Sequence, residues 1–102
     1  MTIKIRTKTE DGVTTVSTML RHPMETGRRK DEETGEVIPI HHIREVSCEV
    51  NGENVMTAVI GTGISKNPFF SFHISNAKVG DILTLTWLDN LGNTDNIKTA
   101  IK

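Results

Sequence analysis

Apolar and polar residues alternate along most of this chain in short segments separated by turn-forming residues, and nowhere is a helical period sustained. Ile3 and Ile5 alternate with Lys4 and Arg6, and a second segment runs from Val13 to Leu20 after Glu10-Asp11-Gly12. Val46, Cys48 and Val50 share one side of a strand whose other side carries Glu45, Ser47 and Glu49, the pattern of a half-buried strand. Asn51-Gly52 then predicts a two-residue hairpin, because a type I′ turn needs positive φ at both central positions, and Glu53 to Ile60 returns from it. Pro68 lacks a ladder donor, so pairing resumes after it. Phe70, Phe72 and Ile74 alternate with Ser71 and His73, and Leu83, Leu85 and Trp87 alternate with Thr84 and Thr86. After Asp89-Asn-Leu-Gly-Asn93, Ile97, Thr99 and Ile101 finish the chain. About seven short strands without a helix predict an all-β fold, an immunoglobulin-like two-sheet antiparallel β-sandwich, with an up-and-down barrel as the alternative. Val46, Cys48, Val50, Phe72, Leu85 and Trp87 are its expected core, and 102 residues suit a single domain spanning 1–102.

One segment breaks the rhythm. From His22 to Pro39 charged residues crowd together with Gly27 and Gly35, which predicts a long loop between strands. Loops above about 12 residues in a compact domain are usually functional or disordered. Pro23 restricts the residue before it, and the expected result is a fixed bend that presents Met24 at the surface as an adaptable contact. Glu25 and Arg28 flank Gly27, where they can pair with each other or with another chain. Phe69 and Phe70 point to opposite faces, which leaves one of them outside the core. Met24, Glu25, Arg28, Asp31 and Phe69 are therefore the candidate protein-interaction residues.

Charge and chemistry narrow the picture further. Twelve basic against thirteen acidic residues give a net charge of −1, so composition offers no footprint for nucleic acid or anionic lipid. No apolar run approaches the roughly 20 residues needed to span a bilayer, and Met1 to Lys8 lacks the apolar stretch of a secretory signal. Four histidines and one cysteine raise a metal reading, including a superoxide reductase-like iron enzyme on a related sandwich. Against it, His41 and His42 are adjacent and diverge if they lie on a strand, Cys48 sits among valines, and neither residue type occurs after His73. The histidines are expected at the surface and at strand ends, with no metal and no cofactor. Cys48 lacks the electropositive setting of a nucleophile, and Glu32-Glu33 is a solvated pair of acids rather than an acid–base couple. An enzyme is not expected; a generic protein-binding sandwich is the other alternative.

His22-Pro-Met-Glu-Thr-Gly-Arg28 with Lys30-Asp31, Val37-Ile-Pro39, the Cys48 strand with Asn51-Gly52, Asn67-Pro-Phe-Phe-Ser-Phe72, and the Trp87 strand with Asp89 together resemble the SoxZ family. Departures are Glu33-Thr-Gly-Glu36 and His41-His42, neither within the signature string. The resemblance implies the small, non-catalytic subunit of the SoxYZ sulfur-carrier complex. On that reading the chain forms a heterodimer with SoxY, whose C-terminal cysteine carries the sulfur intermediates of thiosulfate oxidation. It further implies transient contacts with other Sox enzymes and a periplasmic location reached by export together with SoxY, while the unpaired backbone groups at the edges of a sandwich allow self-association when SoxY is absent. Cys48 is not the carrier thiol on this reading.

Overall fold

The structure is a computed structural model describing residues 2–61 and 63–102. It contains β1 (Ile3–Glu10), β2 (Val13–Leu20), β3 (Ile43–Val50), β4 (Glu53–Val59), β5 (Phe69–Ser75), β6 (Ile82–Asp89) and β7 (Thr94–Ala100), and no helix among the described residues. Two antiparallel sheets, ordered β1-β2-β5 and β4-β3-β6-β7, pack as an immunoglobulin-like sandwich. Two of the hairpins turn as their residues dictate: Asp11 and Gly12 have φ of 51° and 78°, Asn51 and Gly52 of 52° and 83°. All four lie in the left-handed region that type I′ turns require.

Strand alternation fills the space between the sheets. Ile3, Val16, Leu20 and Ile74 from one sheet meet Ile43, Val46, Cys48, Leu83, Leu85 and Trp87 from the other. Val46, Cys48, Leu85 and Trp87 are buried as expected, whereas Val50 and Phe72 are only partly so. Val50 stands at the lip of the Asn51-Gly52 turn, and Phe72 lies on β5, the margin of the three-stranded sheet, so each has core on one side only. The Trp87 indole N–H donates to Thr2 Oγ1 at 3.1 Å, which satisfies the one polar atom this ring carries into the interior.

The segment between β2 and β3 is an ordered two-stranded arm rather than an irregular loop. Glu25 bridges His41 and Lys30 bridges Val37 in antiparallel register. Glu25 and His41 exchange both backbone hydrogen bonds, and Ile38 N–H donates to the Arg29 carbonyl. The molecule is 53 Å long and 21 Å wide, whereas an eight-residue strand covers only about 27 Å, so the arm supplies much of the rest.

Candidate functional site

Both roots of the arm are fixed at one place, the end of β6. Beyond β2 the chain is held by backbone bonds from Arg21 to Thr2 and from Asn67 to His22, and His22 N–H donates to Asn67 Oδ1 at 3.0 Å. The His22 ring turns inward, 3% exposed, and stacks edge-on against Trp87 with centroids 5.3 Å apart. Its Nε2 lies 3.0 Å from Asp89 Oδ2, and His41 Nε2, from the returning side of the arm, lies 2.8 Å from the same oxygen. Asn93 Nδ2 also donates to Oδ2, while Asp89 Oδ1 accepts from the backbone N–H groups of Leu91 and Asn93. One buried carboxylate thus ties together the two ends of the arm and the β6–β7 turn.

The protonation of this hub follows from its partners. His22 Nδ1 accepts from Met24 N–H at 3.1 Å, so it carries a lone pair, and the proton of neutral His22 sits on Nε2 and points at Asp89. Burial alone would raise the Asp89 carboxyl. Hydrogen bonds from His22, His41 and Asn93 outweigh it and hold that carboxyl well below the usual carboxylate range. Among the described residues no buried side-chain polar atom lacks a partner.

His22, His41 and Asp89 place potential ligand atoms within 4.8 Å of one another, the spacing of a metal centre. Their bonding is that of a structural hub instead. A metal on His22 Nε2 would displace the proton from a ring whose other nitrogen already accepts a backbone N–H, leaving an imidazolate, and Asp89 Oδ2 already takes three donors. His41 and His42 do diverge: His42 Nδ1 lies 2.9 Å from the Ile43 carbonyl oxygen, away from Asp89. His73 is exposed beside Thr15. The expectation of surface histidines fails at His22, because its ring completes the core end beside Trp87. Cys48 is fully buried, and burial pushes its thiol up to about 11, the opposite of what a nucleophile needs.

The five candidate interaction residues fall in different places. Met24 is 5% exposed, which corrects its expected surface position: Pro23 makes the bend, but Met24 adopts φ of 51° and turns its side chain inward. There its sulfur accepts from Ile43 N–H at 3.3 Å. Glu25 pairs with Arg29 at 2.6 Å rather than with Arg28, and this hydrogen bond lowers its carboxyl below the ordinary value. Arg28 is exposed and makes no ion pair among the described residues. Asp31 organises the arm's tip, accepting from the N–H groups of Glu33 and Thr34. Phe69 is 62% exposed, as one of the two phenylalanines had to be, but it stands on the outer face of the β1-β2-β5 sheet, apart from the arm. The hub residues escaped the sequence reading, although one signal existed. Asp89 falls in phase with Leu83, Leu85 and Trp87, an acid on the apolar side of its strand.

The chain matches the family model described as "Sulphur oxidation protein SoxZ" over residues 3–100. It belongs to the SoxZ family. No curated protein matches it. As a SoxZ it is a non-catalytic subunit of the SoxYZ sulfur-carrier complex and not an enzyme, and membership implies SoxY as its partner. In this light the signature string His22-Pro-Met builds the SoxZ hub, with both His22 and Met24 directed into the protein.

Proposed function

We propose that this SoxZ chain forms a heterodimer with SoxY in the periplasm and that the arm, through Glu25, Arg28 and Asp31, is where it grips its partner. The observation that carries the reading is the arm itself, a charged extension locked to the sandwich by His22, His41 and Asp89. It offers Arg28, without an ion pair among the described residues, together with exposed Val37 and Ile40. Apolar groups beside fixed charges are what a specific interface uses for area and for orientation. A fully buried Cys48 with a raised thiol pKa suits an oxidising compartment, since it exposes no thiolate to oxidants. Transient contacts with other Sox enzymes belong to the same carrier role. Without SoxY, the uncharged stretch from Asn54 to Val59 on edge strand β4 is a place for a second copy to pair.

Calorimetric titration with SoxY tests the arm. Arg28→Glu should weaken association by about 2 kcal/mol or more if the guanidinium is desolvated across the interface. A lowered melting temperature with unchanged affinity would remove the arm from the interface. Cell fractionation that leaves the co-expressed pair in the cytoplasm would refute the periplasmic assignment.

A further inference from the structure

We propose that the outer face of the β1-β2-β5 sheet is a docking site for an extended acidic segment of a partner protein, with Lys4, Arg6 and Arg21 meeting its carboxylates and Met19 and Phe69 its apolar side chains. This site is separate from the arm assigned to SoxY.

Alternation along β1 sends Lys4, Arg6 and Lys8 outward, and all three are exposed. Lys8 is engaged by Glu10 at 3.0 Å, while Lys4, Arg6 and Arg21 make no ion pair among the described residues. Lys4 is the cross-strand partner of Met19, and Met19 of Phe69, so the three form one row across the sheet. Met19 is 45% exposed and Phe69 62%, an apolar pair left in solvent beside unpaired cations. Two neighbouring hollows, of about 380 and 160 Å³, share Lys4 and Met19, and Arg6 and Phe69 line the larger while Arg21 lines the smaller. No carboxylate lines either hollow among the described residues. In a chain of net charge −1 this concentration of positive charge is local rather than compositional.

The spacing selects the occupant. Side chains two residues apart on a strand stand about 7 Å apart, the repeat at which an extended peptide presents side chains on one side. A segment with acidic residues at alternate positions therefore meets Lys4 and Arg6 in step, with an intervening apolar group toward Phe69. Three cations around a narrow apolar row fit one peptide segment better than a bilayer, where adsorption grows by about 1 kcal/mol per basic residue and needs a larger cluster.

The test titrates the full chain into a fluorescently labelled, end-blocked peptide in which Glu alternates with Phe and Leu, and into a matched peptide with Gln for Glu, following anisotropy. Binding of the Glu peptide, at least ten-fold weaker binding of the Gln peptide, and a ten-fold or greater loss with Lys4→Gln/Arg6→Gln or with Phe69→Ser at unchanged melting temperature are the expected results. Absence of binding, equal affinity for the two peptides, or indifference to both variants overturns the proposal. So does co-sedimentation with phosphatidylglycerol vesicles that depends on Lys4 and Arg6 when the peptide fails to bind. None of these readouts involves SoxY, so the arm assignment stands or falls independently.

Discussion

Replacing Asp89 by Asn isolates the hub's charge while nearly preserving its shape. The amide keeps an oxygen for the backbone N–H groups of Leu91 and Asn93, but sets an NH2 against His22, His41 and Asn93 Nδ2. His41, with a side chain 28% exposed, can change tautomer, and Asn93 is exposed and can turn to water. His22 cannot adapt, because its Nδ1 is committed to Met24 N–H, so a buried N–H then faces a donor. Losing a hydrogen bond to a charged group costs about 1.5–3 kcal/mol, and exchanging the charged His41 contact for a neutral one adds about 1 kcal/mol, giving about 2.5–4 kcal/mol in all. For a domain near this size that corresponds to a fall in Tm of roughly 10–30 °C. Urea unfolding followed by the fluorescence of Trp87, which the His22 ring touches, measures the loss directly. The pH dependence supplies a second check. Because the folded-state pKa of Asp89 lies below its unfolded value near about 4, its contribution is complete above that pH and is lost as pH falls through the folded value. The Asn variant has no such component, so the stability gap should narrow on acidification from about pH 4 downward. A cost below about 1 kcal/mol at neutral pH, or a gap that stays constant in acid, would refute the hub as described.

Trp87→Ala should destabilise the domain by about 3–5 kcal/mol in urea unfolding followed by far-ultraviolet circular dichroism, since it empties the space shared with His22 and the core. Met24→Ala should cost about 2–5 kcal/mol, whereas an exposed methionine would cost almost nothing, so thermal melting distinguishes the two placements. Cys48→Ala should leave SoxY binding intact and cost about 1 kcal/mol, and in the native protein Cys48 should react with a thiol reagent only at the rate of unfolding.

The sandwich was legible because its signals are local: period-2 alternation assigns a face to each strand, and Asn51-Gly52 sets a register. The hub was not, because its contacts join residues 67 and 48 positions apart and pattern gives no distance between them. Met24 shows a subtler limit. Pro23 announces a bend, but which way the next side chain points depends on a left-handed φ that non-glycine residues seldom adopt, stabilised here by the His22 acceptor and the buried sulfur. Glu25 was expected to reach Arg28 or another chain, and the antiparallel arm turned it toward Arg29 instead.

The pinning of both arm roots on Asp89 also bears on how fast recognition can proceed. A free segment of this length would have to be ordered at each encounter, at a conformational cost of about 1–2 kcal/mol per residue. Here His22 and His41 act as the two ends of a non-covalent staple, and the cross-arm bonds order what lies between them. That entropy is surrendered once, during folding. Any partner that takes the arm therefore meets a preformed shape, and its capture follows rigid-body docking rates of about 10⁵–10⁷ M⁻¹s⁻¹ rather than the pace of a folding step.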